Sequence, residues 1–470
     1  MTAATGACMS RREFMRAAAG AAACLPAGIA AGLDSGRNRP LRRAQDRPNI
    51  VVIMADDLGC ECIGADGGLS YKTPVLDGLA AEGVRFEHAY AQPLCTPSRV
   101  KLMTGIYNVR NYVRFGLLDH KQTTFAHLLK KAGYATCVVG KWQLGGGLEG
   151  PKHFGFDEYC LWQLNRRPGR YPNCGLEVNG KQVDYTNGEY GPDVVSDYAC
   201  DFMQRNKSKP FLVYYPMILT HCPFEPTPDS ADWDPKSKGS KGYKGNAKYF
   251  GDMVAYMDKI VGKLVSKLDE LNLRERTLVI FTGDNGTDKP VVSKMGDRMV
   301  AGGKGSMSDA GTRVPLIASW PGTAPKGKVC GDLVDFSDFL PTLCQCAGAG
   351  VPDEPAIDGR SFLPQLQGKK GDPREWIYCW YSRGGDAASA KEFARNQRYK
   401  LYRTGKFFDI RSDVLEASPL GESALDEQAR AARAMLQRAL DKYKDARPAS
   451  LNKPPKPKRK AKAKQKAKAN

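Results

Sequence analysis

The sequence predicts an α/β fold: a large, mainly parallel mixed sheet flanked by helices, with a smaller C-terminal α+β subdomain that contains an antiparallel sheet. Three observations predict it. Four short apolar runs end abruptly in polar residues, amphipathic helical patterns fill the gaps between them, and beyond residue 370 the pattern changes to short aromatic strands and one closing helix. A continuous apolar run of strand length suits a strand covered on both faces, as in a parallel sheet. Alternation of strand and helix then implies parallel pairing.

The first run, Ile50 to Met54 in "NIVVIMADD", ends in Asp56 and Asp57. "YATCVVGKW" runs into Lys141, "PFLVYYPMILTH" into His221, and "TLVIFTGDNG" into Asp284 and Asn285. Among the helices, "TPVLDGLAAEG" places Thr73 at the N-cap, Pro74 at the first helical position and Gly83 at the stop, with Leu76, Leu79 and Ala80 as its apolar face. "TFAHLLKKAG" sets Phe125, Leu128, Leu129 and Ala132 at i, i+3, i+4 and i+7 before Gly133. From Tyr249 to Leu271, Met253, Met257, Val261, Leu264 and Leu268 form one stripe. At the C-terminal end, "REWIYCWYS", "RYKLYRT" and "FFDI" read as short antiparallel strands and "ALDEQARAARAMLQRALDKY" as a helix. The expected organisation is a main domain over 48–370 and a subdomain over 371–446.

The ends are not fold. "MSRREFMRAAAGAAACLPAGIAAG" has a basic start, an alanine-rich apolar middle and small residues after it, so residues 1–31 read as a signal peptide and 32–47 as a basic linker. Arg11 and Arg12, with Ser10 before and Phe14 after, resemble the twin-arginine signal, which implies the twin-arginine export machinery as a partner and a periplasmic or otherwise exported bacterial location. Cys24 follows three alanines, but the leucine-like position expected before a lipid-attachment cysteine is missing. No run of 18 apolar residues occurs, so no spanning helix is expected. The formal charge is +19, yet fourteen of those charges lie in residues 1–49 and in the stretch Lys453 to Lys468. The charge therefore does not make the main domain a nucleic-acid binder. Residues 447–470 read as a disordered Lys-rich tail able to meet polyanions. Fourteen cysteines follow no zinc spacing, and their pairing cannot be read from the sequence.

In α/β sheets the ligand crevice lies beyond the carboxyl ends of the strands. All four polar endings are expected there together. Asp56, Asp57, Asp284 and Asn285 offer only oxygen, the donor set of a hard divalent cation, calcium or magnesium. Arg99, Lys141, His221 and Lys304 supply positive charge, the last in the glycine-rich "AGGKGSMSDAGTRVPL". A metal with such cations suits a tetrahedral oxyanion whose leaving group departs, so the chemistry is that of sulfate or phosphate esters.

"PLCTPSR" contains C-x-P-x-R, and "ADDLG", "GVRFEHAYAQPLCTPSR", "LLKKAGYATCVVGKWQLG", "HFGFDEY", "TGDNG" and "GTRVPLI" follow in order, with "DGRSFLPQLQG" and "RYKLYRTGKFFDI" later. On these stretches, over roughly residues 48–415, the chain resembles the formylglycine-dependent sulfatases (type I, cysteine type, arylsulfatase-like) of the alkaline phosphatase superfamily. The resemblance implies that a maturation enzyme oxidises Cys95 to Cα-formylglycine (3-oxoalanine), reading the downstream Pro97 and Arg99. A hydrated aldehyde carries two hydroxyls: one attacks sulfur, and loss of the second proton reforms the carbonyl and expels sulfate. The resemblance further implies that Asp56, Asp57, Asp284, Asn285 and residue 95 bind the metal. Arg99 would hold the formylglycine, Lys141 and Lys304 would grip sulfate oxygens, and His221 would protonate the departing alcohol. The implied substrate is a sulfated glycan or an aryl sulfate. Two other readings use the same residues: a phosphate or phosphonate monoester hydrolase, and a catalytically impaired binder of sulfated polysaccharide. The chain departs from the family at one point. Where the family has G-K-W-H-L-G, it has "GKWQLG". Gln143 can hydrogen-bond but cannot take a proton, which leaves the second half-reaction without its usual base. His88 is the histidine nearest Cys95 in sequence.

Overall fold

A computed structural model describes residues 47–452. The readings on Arg11, Arg12, Cys24 and the lysine-rich stretch from Lys453 onward lie outside the described residues. Among the described residues, no helix is long and apolar enough to cross a membrane.

The central strands are those with the longest apolar runs. β1 (Asn49–Ala55) is buried along its whole length. Ile50, Val52 and Met54 face one core, and Val51, Ile53 and Ala55 face the other. Such two-sided burial leaves room for apolar residues from Ile50 to Ala55, and the one polar residue, Asn49 at the start, is bonded to Thr277 and the Phe211 amide. The remaining strands of the main sheet are β2 (Val84–Tyr90), β3 (Ala135–Lys141), β4 (Glu158–Trp162), β5 (Gly175–Val178), β6 (Lys181–Asp184), β7 (Phe211–Pro216) and β8 (Thr277–Gly283). A small hairpin, β9 (Val292–Met295) with β10 (Arg298–Ala301), stands apart, and β11 (Arg313–Val314), β12 (Leu316–Ser319) and β13 (Lys328–Asp335) complete the sheet. Its order is β11-β2-β12-β8-β1-β7-β3-β4-β5-β6, with β13 paired to β2. The run β8-β1-β7-β3-β4 is parallel, while β11, β12, β5 and β6 add antiparallel flanks.

Register brings the polar endings together. Ala55 of β1 lies opposite Gly283 of β8, so Asp56 and Asp284 leave adjacent strands at one level. Met54 lies opposite Pro216 of β7, which pairs on its other side with β3. At the end of β3, Gly140 has φ 106°, and a Cβ there would meet the Pro216 carbonyl oxygen at 2.1 Å. Only glycine fits the position, immediately before Lys141.

Helices cover both faces. Pro74–Ala81, Gly191–Arg205 and Phe250–Glu270 lie on one, and Cys95–Thr104, Phe125–Lys131 and Phe339–Ala347 on the other. The stripe Met253, Met257, Val261, Leu264 and Leu268 is fully buried, as its spacing predicts. Two details differ. Thr73 stands at the N-cap, but its hydroxyl binds Asp77 and the Gly64 amide instead of capping. On Phe125–Lys131, Ala126 rather than Leu128 is buried with Phe125 and Leu129.

β14 (Ile377–Tyr381), β15 (Lys391–Arg395), β16 (Tyr399–Tyr402) and β17 (Phe407–Asp409) form the antiparallel C-terminal sheet, with the helix Glu427–Lys442 against it. "KEFAR" in β15 carries no strand signal of its own, because charged residues interrupt it. This sheet is tied to the main one by buried ion pairs. Arg374 forks onto Asp338, and Lys101 donates to Asp335 Oδ2 at 2.6 Å and to the Tyr378 carbonyl at 3.2 Å. Lys101 belongs to the helix that begins at Cys95, so these bonds fix that helix. Removing one partner of such a pair typically costs about 3–5 kcal/mol. Arg447, at the start of the expected tail, is bonded to the Val109, Tyr112 and Gly385 carbonyls.

Candidate active site

Cys95 opens the helix Cys95–Thr104, every residue of which is buried. It lies at the floor of a cleft of about 660 Å³ lined also by Lys141, Gln143, His221 and Lys304. Asp56, Asp57, Asp284 and Asn285 lie beneath, each fully buried. The structure therefore gathers all ten sequence-derived site residues around one floor.

The bonds make a charge-compensated lattice. Lys141 Nζ donates to Asp56 Oδ2 at 2.5 Å, and Lys304 Nζ to Asp57 Oδ2. Arg99 donates to Asp284 Oδ2 at 3.0 Å and to the Lys141 carbonyl at 2.6 Å. Asp57 N donates to Asp284 Oδ1 at 3.1 Å, and Asn285 Nδ2 to Asp57 Oδ1 at 2.8 Å. Burial raises the Asp56 pKa, but Lys141, His221 and Arg99 outweigh it and hold the group below the ordinary carboxylate value. Asp284 is pushed the other way, to about 7, by burial and by the charge on Asp56.

Two buried oxygens, Asp56 Oδ1 and Asn285 Oδ1, have no hydrogen-bond partner. A buried acceptor of this kind normally finds one. Ligand atoms of Asp56, Cys95 and Asp284 all lie within 4.8 Å of one another, as do those of Asp56, Asp57 and His221. Orphaned oxygens among carboxylates, with a thiol standing where the hydroxyls of a hydrated formylglycine would be, fit a hard divalent cation.

Gln143 reaches the residue it was singled out beside. Its Oε1 accepts from Cys95 Sγ at 2.7 Å and from Thr96 Oγ1 at 3.4 Å. Burial raises the Cys95 thiol pKa, so the sulfur is a protonated donor rather than a thiolate. Gln143 holds φ 55°, Asp57 φ 63° and Gln163, in the same cleft, φ 62°. Left-handed backbone at bulky residues carries strain, and here it concentrates at one place.

On the other side of the floor, His221 lies five residues beyond the end of β7 rather than at it. Its loop is held by Tyr171, whose hydroxyl donates to the His221 carbonyl at 2.5 Å and the Ile218 carbonyl at 3.2 Å. Nδ1 lies 2.5 Å from the Cys222 carbonyl oxygen, and Nε2 faces Asp57 Oδ2 at 3.7 Å. Burial lowers the His221 pKa well below its ordinary value, and Lys141, Lys304 and Arg170 add to the effect against Asp56. His221 alone among the chain's five histidines lines this cleft. His127 caps its own helix with Thr124, His120 and His153 meet on the exterior, and His88 on β2 is driven to about 4 by burial and Arg395. None of them stands where the usual second base would.

Sequence reasoning missed the rim. Arg170 places Nη1 2.9 Å from His221 Nδ1, and its guanidinium stacks 4.0 Å from the Trp162 ring centre. Tyr243, Lys244, Asp288, Tyr381 and Arg383 also line the cleft. Tyr243 and Lys244 come from the loop ahead of the helix Phe250–Glu270, and Asp288 from the loop that follows β8. The share taken by Tyr381 and Arg383, from the C-terminal sheet, carries no signal in the sequence.

The sulfatase profile matches residues 48–349, and the profile for the C-terminal part of N-sulphoglucosamine sulphohydrolase matches residues 303–444. Human arylsulfatase A is 33% identical over 396 residues, covering 76% of this chain and 74% of its own length. Mouse steryl-sulfatase is 31% identical over 428 residues, covering 70% of this chain and 66% of its own. Among solved structures, Ps i-CgsB in complex with k-i-k-neocarrahexaose superposes with a TM-score of 0.71 at 28% identity, over 86% of this chain and 94% of that one. With its carboxylate and lysine floor under a C-x-P-x-R cysteine, this chain belongs to the sulfatase family, whose members cleave sulfuric esters.

Proposed function

We propose that this sulfatase removes sulfate from a sulfated carbohydrate or an aryl sulfate, using formylglycine made from Cys95 and a divalent cation held by Asp56, Asp57, Asp284 and Asn285. The observation that carries the reading is the seat of Cys95, at the first turn of a buried helix and facing Lys141, Lys304 and His221 across one cleft. Relatives support the carbohydrate class: one is named N-acetylgalactosamine-6-sulfatase, and Ps i-CgsB was solved with a neocarrahexaose.

A formylglycine hydrate supplies a geminal diol as nucleophile, and the cation, calcium or magnesium, supplies Lewis acidity toward the sulfuryl oxygens. The chain's own residues do the rest. Lys141 and Lys304 present fixed positive charge to the sulfate oxygens, where charge grows as the ester bond breaks. Arg99, locked onto Asp284, stands behind residue 95 and keeps the carboxylates apart. His221, neutral in the free site, takes up a proton at Nε2 beside the anionic sulfate and passes it to the departing oxygen. Gln143 accepts a hydrogen bond from residue 95 and so orients it, but the proton must then leave to solvent. The export reading belongs to the same proposal: a twin-arginine signal would carry the matured, folded chain to the periplasm, after a formylglycine-generating enzyme has acted.

The test is sulfate release against phosphate release from matched aryl esters, with protein produced beside a formylglycine-generating enzyme. Sulfate turnover should exceed phosphate turnover. A phosphate preference would assign the site to the monoester hydrolases, and binding without turnover would make it a sulfated-polymer receptor.

A further inference from the structure

We propose that the cleft binds a second anionic group of the substrate, a sulfate or carboxylate beyond the ester being cleaved, through Arg167, Lys289 and Arg383. The inference rests on the sulfatase reading above and narrows its substrate to a doubly charged glycan.

The cations of the cleft are unequally compensated. The floor cations are already matched: Lys141 by Asp56 and Lys304 by Asp57. At the rim, Lys244 is matched by Asp288 at 2.5 Å, and Asp288 is the one carboxylate that lines the opening among the described residues. Arg167, Lys289 and Arg383 line the same opening, are exposed, and have no acidic partner among the described residues. Arg383 instead holds its guanidinium 5.0 Å from the Phe115 ring centre, which fixes the charge facing the cleft at little entropic cost. A scissile sulfate engaged by Lys141 and Lys304 leaves these three charges unspent. Clefts lined by one sign of charge concentrate ligands of the other.

The rest of the wall suits a sugar. Phe115, Tyr243 and Tyr381 line it with aromatic rings, and Gln163, whose buried side-chain oxygen has no partner, lines the same cleft. About 660 Å³ exceeds what a single small aryl sulfate would fill.

The experiment uses calorimetric binding to the Cys95→Ala protein of three size-matched disaccharides, carrying one sulfate, two sulfates, or one sulfate and one uronate carboxylate. At least one doubly charged sugar should bind about tenfold or more tighter than the singly charged one, the scale of one or more charge-assisted bonds. Its affinity should also fall more steeply with added salt. The Arg167→Gln, Lys289→Gln, Arg383→Gln triple variant should erase the advantage while changing single-sulfate binding far less. The disulfated and uronate arms identify the source of the second charge. Equal affinity for all three sugars, or an advantage that survives the triple variant, would overturn the inference. Turnover of 4-nitrophenyl sulfate by the unaltered, matured protein is measured separately, so failure of the sulfatase reading shows there and not in the binding series.

Discussion

The two ends of the reaction centre are built to different standards. At one end His221 is held by the Cys222 carbonyl and by a loop pinned through Tyr171, and its Nε2 faces the floor. At the other, Gln143 touches Cys95 as closely as a catalytic base would, at 2.7 Å, with a side chain that cannot ionise. In the proposed mechanism the first half-reaction then has its acid, and the second has only an orienting acceptor. Geometry and chemistry are thus separable at one residue, and the consequence should fall on one step.

The largest effect should come from Cys95→Ala, which removes the nucleophile both ends serve. Turnover should fall to background with thermal unfolding unchanged, and an active variant would put the nucleophile elsewhere. Chelation comes next. Stripping divalent ions should also silence the enzyme, with calcium or magnesium restoring it, and Asp284→Ala should weaken the binding of the metal by calorimetry. Stoichiometric zinc in active protein would contradict the oxygen site.

His221→Asn should cost about 10²–10⁴-fold on a sugar sulfate, the worth of a positioned acid, or about 3–5.5 kcal/mol of barrier. The loss should shrink sharply on 4-nitrophenyl sulfate, whose leaving group needs little help. Equal losses on both would make His221 a binding residue only.

Gln143→His should sharpen the contrast from the other side. The backbone there already has φ 55°, a region that histidine tolerates better than most residues. The parent should show a burst of alcohol near one equivalent and then slow turnover. The variant should show a smaller burst and a steady rate about tenfold or more higher, part of what a base supplies. A folded, matured variant no faster than the parent would mean that the proton leaves by another path. The smallest effect is on pH: the steady rate of the parent should climb with pH as hydroxide stands in for the missing base, and the slope should flatten in the variant.

Asp56, Asp57, Lys141, Asp284 and Asn285 were legible in the sequence because they sit at or just past the ends of buried strands, and an apolar run that stops at a charge announces that place; Cys95 and Arg99 on their helix and Lys304 in its glycine-rich loop were legible through their motifs. His221 was legible only as a residue, since four residues separate it from the end of β7. The rim was not legible. Arg170 meets His221 across 51 residues, with no periodicity to couple them. Tyr381 and Arg383 arrive from a C-terminal sheet that reads as a separate subdomain, yet shares the cleft with Cys95. Contacts made by loops and by packing of one sheet on another leave no local pattern.

The central claim is that residue 95 becomes a formylglycine on which activity depends. Its most direct test is the mass of the Phe86–Arg99 tryptic peptide, measured across preparations matured to different extents and set against sulfate released per molecule. The expected result is a species that has exchanged H₂S for O at Cys95, with activity proportional to its fraction. Full activity in protein whose Cys95 remains an ordinary thiol would contradict it.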